Sequence, residues 1–210
     1  MKPNALIFDL DDTLIDTRRR HYHIVTDFLK LNGITNSLSF NEYVNIRREN
    51  SFTNLQLLMH FYSAERIEDR FKLFWKENIE NPKYLSLDEL IVDLDLLKNI
   101  SIENDLYILS LRSNHFNALN QVKSFPFYKL FKKILFLDYQ NERNPKTNEL
   151  LILRQLYHQI RFIGDSESDK EAAINSSVNF VLVLTGIYKI TNTTFFFDVN
   201  NFLKTNLNHE

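Results

Sequence analysis

Three aspartates crowd into one short segment, Asp9-Leu10-Asp11-Asp12-Thr13-Leu14. Two carboxylates two residues apart in an extended loop can serve one site in different roles. One can attack phosphorus, and the other can protonate the leaving oxygen and later take a proton from water. A carboxylate suits the first role because the acyl phosphate it forms hydrolyses readily. The same residues also read as an acidic turn after a strand. A second acidic run, Gly164-Asp165-Ser166-Glu167-Ser168-Asp169, lies far downstream. Gly164 permits a tight turn with positive φ, and Asp165 and Asp169 would then face one crevice. Helix capping is the alternative there, with Ser166 or Asp165 as N-cap and Glu167 and Asp169 in the first turn. If the two runs converge, each close carboxylate pair repels by about 4 kcal/mol at an effective dielectric constant near 20. A hard divalent cation relieves that repulsion, and all-oxygen ligation by carboxylates, water and phosphate is the signature of Mg²⁺.

Bringing the runs together is a task for the strands. Ala5-Leu6-Ile7-Phe8 is an unbroken apolar run ending at Asp9. Lack of alternation marks a strand buried on both faces, as in a parallel sheet. Leu106-Tyr107-Ile108-Leu109 ends likewise at Ser110, Ile134-Leu135-Phe136-Leu137 at Asp138, and Arg161-Phe162-Ile163 at Gly164-Asp165; Val178 through Leu184 forms a fifth run. Helical patterns lie between them, which predicts βαβ units and a doubly wound sheet. Ligands of such sheets sit outside the carboxyl ends of the strands, here Asp9, Ser110, Asp138 and Asp165.

From about Asp16 to Asn81 this rhythm stops. Ile24, Val25, Phe28 and Leu29 form one helical face, and Ile67, Phe71, Phe74, Trp75 and Ile79 another. The segment reads as an all-helical insertion ending at Asn81-Pro82, because the residue before proline resists helix. Leu87, Leu90, Ile91, Leu94 and Leu97 then predict an amphipathic helix leading into the second strand. The expected organisation is an α/β, Rossmann-like, doubly wound parallel core made of residues 1–15 and 82–210, with a helical cap at 16–81.

Composition narrows the function. A net charge of −2 lacks the basic footprint of a nucleic-acid binder. The absence of cysteine excludes disulfides, thiolate metal sites and cysteine nucleophiles. No run approaches the roughly 18 apolar residues of a membrane span. Met1-Lys2-Pro3-Asn4 leads straight into a strand without a secretion-signal pattern. The expectation is a cytoplasmic protein, monomer or homodimer, that engages neither nucleic acid nor membrane.

The chain resembles the haloacid dehalogenase superfamily, which carries four short motifs along a Rossmann-like core. Asp9-Leu10-Asp11-Asp12-Thr13 matches the first, DxDxT. Ser110 matches the second, a Ser or Thr that binds phosphate, and Gly164 through Asp169 matches the fourth, GDxxxD. The third is a lysine, for which Lys146 is the candidate, with Lys132 and Lys133 as fallback. Pro145 suits a helix's first position, and a lysine in a first turn opposes the helix dipole at a cost of roughly 0.3–1 kcal/mol, which points to work elsewhere; an exposed surface lysine is the alternative. The resemblance implies that Asp9 is nucleophile and metal ligand. It implies that Asp11 is general acid/base and gives its backbone carbonyl to Mg²⁺. Thr13, Ser110, the N–H of Leu111 and Lys146 hold the phosphoryl group, Asp165 binds the metal and Asp169 supports it. Departures from the pattern are Asp12, where glycine is frequent, and Leu111-Arg112, where a polar residue such as Asn often follows the second motif. Arg112 reads either as a substrate contact or as a surface arginine.

The insertion stands where such proteins carry a helical cap of the first type, which favours a small phosphorylated metabolite. Members that cleave carbon–halogen bonds lack an acid at the position of Asp11, so phosphoryl transfer is favoured here. Arg18, Arg19, Arg20, His21 and His23 form either an anion-attracting cluster near the hinge or, as the stronger reading, a solvated helix face; Arg47-Arg48 carries the same two readings. His21 and His23 do not share a helix face and predict no metal site. A phosphomutase acting on a sugar phosphate and a non-catalytic phospholigand-binding relative are the alternatives to a phosphatase.

Overall fold

The computed structural model describes residues 3–35, 37–62, 67–139, 144–187 and 195–207. The chain starts in β1 (Asn4–Phe8) and turns through the acidic segment into a two-residue strand, β2 (Ile15–Asp16). Helices α1 (Arg18–Leu31), α2 (Phe40–Asn50), α3 (Asn54–Phe61) and α4 (Ile67–Asn78) follow. A short α5 (Pro82–Leu85) leads to β3 (Glu89–Leu90), which pairs antiparallel with β2. The remaining elements alternate: α6 (Leu94–Ile100), β4 (Asn104–Leu111), α7 (His115–Ser124), a 3-10 turn at Pro126–Leu130, β5 (Lys133–Leu137), α8 (Pro145–Leu156), β6 (Ile160–Gly164), α9 (Glu167–Ser176), β7 (Asn179–Val183), β8 (Phe195–Phe196) and α10 (Val199–Leu207).

The main sheet has the order β5-β4-β1-β6-β7-β8, with every neighbouring pair parallel. β1 lies inside it, and its side chains explain the unbroken apolar run. Leu6 and Phe8 enter a core with Leu97, Val122 and Phe202 from α6, α7 and α10. Ala5 and Ile7 enter the opposite one with Leu150, Leu153, Ala172 and Ala173 from α8 and α9. A strand covered on both faces has no solvent side on which to place polar residues. The chain leaves β1 toward β4 and β5, then returns to its other flank as β6. The order therefore reverses between β1 and β6, where a crevice opens at the strands' carboxyl ends.

The helical layer has a core of its own. Val25, Phe28 and Leu29 of α1 meet Tyr43, Leu57, Leu58, Ile67 and Phe71 of α2–α4. Burying one such large side chain contributes about 1.5–3 kcal/mol. Capping boxes start α2, with Ser39 and Glu42, and α3, with Thr53 and Gln56.

Three expectations need correction. The single helix predicted through Leu87 to Leu97 is two elements, β3 and α6, because Leu90 pairs with Ile15 and Asp93 caps α6 through the N–H groups of Asp95 and Leu96. Its apolar residues serve a strand and a helix in succession, which periodicity alone merges. The stretch beginning near Asp16 starts in a strand, β2. The sheet also gains a sixth strand, β8, too short to leave a pattern.

Candidate active site

The loop from Asp9 to Ile15 folds back on itself. Leu14 and Ile15 donate to the carbonyl of Leu10, and Asp12 donates to that of Ile15. Asp12 takes a left-handed conformation at φ 53°, which aspartate tolerates better than most residues. Its carboxylate then accepts from N and Oγ1 of Thr17, both near 2.9 Å, tying the loop to the start of α1. Asp12 thus occupies a frequent glycine position without conflict.

Asp9 continues β1, and its N–H donates to the carbonyl of Ile163 in β6 at 2.8 Å. Asp165 leaves the end of β6. Asp169 lies in the first turn of α9. Carboxylate oxygens of Asp9, Asp165 and Asp169 all lie within 4.8 Å of one another, and the three residues are 6%, 8% and 0% exposed. Lys146, buried at the start of α8, places Nζ 2.7 Å from Asp9 Oδ1 and 2.6 Å from Asp169 Oδ1. Asn144 caps α8 and donates to the carbonyl of Ser168 at 2.7 Å, fixing the two helix starts side by side. The fallback lysines take no part: Lys132 pairs with Asp105 and Lys133 is exposed at the start of β5.

Capping and clustering coexist in the second acidic run. Ser166 caps α9 in a reciprocal box with Asp169, whose Oδ2 accepts from Ser166 Oγ at 2.5 Å while Oδ1 meets Lys146. Gly164 has ordinary negative φ, contrary to expectation; the left-handed residues described are Asp12, Gly33, Ser51 and Ser177. Its role is space: a Cβ there would lie 2.7 Å from Asp169 Oδ2.

The electrostatics follow from burial. Desolvation pushes Asp9 up to about 7 against the pull of Lys146, with Asp169 and Asp11 adding repulsion. Asp165 is raised well above the usual range by burial and by Asp12, Asp169 and Asp9. Lys146 is held protonated: burial opposes its charge, but Asp169 and Asp9 outweigh it. Three buried acids and one lysine leave an excess of negative charge that a divalent cation would neutralise.

Asp11 has different company. Its Oδ1 receives Nη2 of Arg20 from α1 at 3.0 Å and Nη2 of Arg112 from the end of β4. Burial raises its pKa, yet Arg112 and Arg20 together hold the carboxyl below its ordinary value. Arg20 is fully buried and also pairs with Asp88 at 3.3 Å; Gln121 donates to Asp88 at 2.6 Å. The solvated-face reading therefore fails for Arg20 and the surface reading for Arg112. Nothing in Arg18-Arg19-Arg20 marks which one turns inward, since that depends on Asp11 in the loop after β1 and on Asp88 just before β3.

Ser110 is buried at the end of β4, and Leu111 closes the strand. Phe8 pairs with Ile108, so Ser110 stands two residues beyond that rung, level with the start of the acidic loop. Thr13 is fully buried, and its hydroxyl has no partner among the described residues. Just past Arg112, Glu80 accepts from the N–H groups of Ser113 and Asn114 at 2.7 and 2.6 Å. Asp138 follows β5 at the expected strand end, but it is exposed and meets His115 and not the acidic cluster.

Asp9, Lys146, Asp165 and Asp169 thus share one buried cluster, and a family model matches residues 6–183: Haloacid dehalogenase-like hydrolase. The chain belongs to that family. Solved haloacid dehalogenase-like structures repeat its fold. A subfamily IA hydrolase from Geobacter sulfurreducens PCA superposes with a TM-score of 0.69 at 16% identity, over 97% of this chain and 96% of that one. A predicted phosphoglycolate phosphatase from Haemophilus somnus 129PT gives 0.66 at 19% identity, over 98% and 99%. A haloacid dehalogenase-like hydrolase from Streptococcus pneumoniae gives 0.66 at 20%, over 89% and 87%. No curated protein sequence matches. Among the described residues, no helix of this family member is long and apolar enough to cross a membrane.

Proposed function

We propose that this haloacid dehalogenase-like hydrolase is a Mg²⁺-dependent phosphatase of small phosphorylated metabolites, working through an aspartyl phosphate on Asp9. The observation that supports it most is the buried cluster of Asp9, Asp165 and Asp169, two of whose members, Asp9 and Asp169, share the buried Lys146. In this reading residues 1–15 and 82–210 form the catalytic core, and 16–81 form a cap that excludes water over a small substrate.

Asp9 attacks phosphorus, and the ester oxygen leaves with a proton from Asp11, which Arg20 and Arg112 keep ionised in the free protein and which takes that proton from the bound monoanionic ester. Water, deprotonated by Asp11, then cleaves the acyl phosphate and frees Asp9. Because both guanidinium bonds fall on Oδ1 of Asp11, Oδ2 is left to face the reacting oxygens. Lys146, Ser110, Thr13 and the N–H of Leu111 hold the phosphoryl oxygens. Asp9, the backbone carbonyl of Asp11 and Asp165 would bind Mg²⁺, with Asp169 supporting them. The bound ion would offset the charge of the phosphoryl oxygens during attack.

Phosphate release from a panel of small esters, with Mg²⁺ or EDTA and with Asp9→Asn alongside, tests the reading. Expected is Mg²⁺-dependent turnover that falls by at least about a thousandfold in Asp9→Asn. A wild type silent on every ester, or a fully active Asp9→Asn, would overturn it.

A further inference from the structure

A cavity of about 360 Å³ lies within the helical layer. Trp75, Phe71 and Leu55 supply its apolar walls, and the buried Arg47 and Asn54, the half-buried His21, Thr53 and the exposed Lys72, which pairs with Glu68, supply its polar groups; no acidic residue lines it. Arg47 is only 6% exposed. Its guanidinium donates to the carbonyl of Phe52 at 3.1 Å and to the hydroxyl of Tyr43 at 2.9 Å, both neutral oxygens. Among the described residues Nη2 has no hydrogen-bond partner and no carboxylate forms an ion pair with Arg47. An arginine this buried is ordinarily paired, because an uncompensated charge out of water is costly. Stacking on the Tyr43 ring at 5.3 Å offsets part of that cost but supplies no counter-charge.

The neighbouring groups are set for the same task. Asn54 is buried, and its Oδ1 accepts from Tyr43 at 2.5 Å, which turns the amide and leaves Nδ2 as a donor without a partner among the described residues. His21 Nδ1 is buried without a partner. Burial, with the charges of Arg20, Arg47 and Arg112, keeps His21 neutral at pH 7, so the buried charge of the cavity is that of Arg47 alone. One buried positive charge, with Lys72 at the exposed edge neutralised by Glu68, two open donors and flat aromatic walls match a carboxylate on a planar or apolar body better than a phosphate dianion.

The cavity lies within electrostatic reach of the reaction crevice: the charge of Arg112 acts on His21, and that of Asp12 acts on Tyr43 beside Arg47. His21 follows Arg20, which grips Asp11. Arg48, next to Arg47, donates to the carbonyls of Thr185 and Gly186 after β7, and Thr185 in turn donates to the carbonyl of Asp12. We infer that the cavity around Arg47, Asn54 and Trp75 receives the carboxylate-bearing, planar end of the substrate's leaving group. This rests on the phosphatase reading and narrows its substrate class to phosphate esters of hydroxy acids with an apolar or aromatic body.

Trp75 is the only tryptophan, so its fluorescence reports occupancy without any turnover. The probe is 4-(hydroxymethyl)benzoate, a leaving group without phosphorus, against its neutral amide. Wild type is expected to bind the carboxylate about tenfold or more tightly than the amide. Asn54→Asp keeps an acceptor for Tyr43 and gives Arg47 an internal counter-charge, so it should abolish that preference while remaining folded. Arg47→Gln should do the same. With the corresponding benzyl phosphates, kcat/KM should favour the carboxylate in wild type and lose that bias in both variants. Unchanged Trp75 fluorescence, equal binding of acid and amide, or a preference that survives Asn54→Asp would overturn the inference. So would hydrolysis of the two esters at equal kcat/KM. If no ester is hydrolysed yet the carboxylate binds with this pattern, the phosphatase reading falls and the anion site stands.

Discussion

A Cβ on Gly186 would stand 1.8 Å from Oδ2 of Asp165. The backbone after β7 runs directly against that carboxylate, and only glycine fits there. Gly186 also offers its carbonyl to Nε of Arg48 from α2 at 3.3 Å. One residue thus seats both an acid of the cluster and the helical layer above it.

Gly186→Ala is therefore expected to displace Asp165 and weaken Mg²⁺ binding by about 10- to 100-fold, the usual effect of losing support for a metal ligand. Isothermal titration with Mg²⁺ checks this, with circular dichroism to establish folding. Unchanged affinity in a folded variant would mean that the loop yields and the carboxylate does not.

Lys146 carries the positive charge between Asp9 and Asp169. Lys146→Met should cost about 3–5 kcal/mol, since it leaves buried carboxylates uncompensated. Lys146→Arg should not restore activity, because a planar guanidinium cannot replace a compact ammonium between two acids. Urea denaturation measures the loss. Added Mg²⁺ should recover more stability in Lys146→Met than in wild type, as the cation replaces the missing charge. Equal Mg²⁺ effects in both proteins would count against a metal among these acids.

Asp88 supplies a pH-dependent test. Burial pushes its carboxyl up to about 7, against Arg20, which acts to lower it, while Asp11 adds repulsion. A carboxyl whose pKa is higher folded than unfolded favours the fold fully below its unfolded value near 4. That contribution is lost as pH rises through 7. Asp88→Asn cannot ionise and leaves Asp11 to neutralise Arg20. Relative to wild type, the variant should gain on the order of 1–3 kcal/mol between pH 5 and 8. Denaturation midpoints at several pH values decide it; parallel curves for the two proteins would reject the role given to Asp88.

The strands and the acidic motifs were legible because each depends on few neighbours in sequence. Ala5 through Phe8 reads as a doubly covered strand from its lack of polar residues alone, and the two cores on either side of β1 bear this out. Asp9, Asp165 and the helix-borne Lys146 and Asp169 could be placed from strand ends and a proline. The parallel order then brings them to one crevice. The segment from Leu87 to Leu97 misled because β2–β3 pairing is long-range: nothing near Leu90 announces Ile15 as its partner.

By itself, the sequence determined the parallel core, the helical insertion and the identity of the acids, since hydrophobic runs and motif spacing are local properties. Only the tertiary structure decided which cations are buried. Arg20, Arg47 and Arg112 stand in stretches that read as ordinary charged surface. Whether a guanidinium turns inward depends on a carboxylate, a carbonyl or a cavity contributed by elements distant in the chain. Burial also sets the carboxyls of Asp9 and Asp88 near 7, because desolvation comes from every element packed around a group and none of it is written beside that group in the sequence.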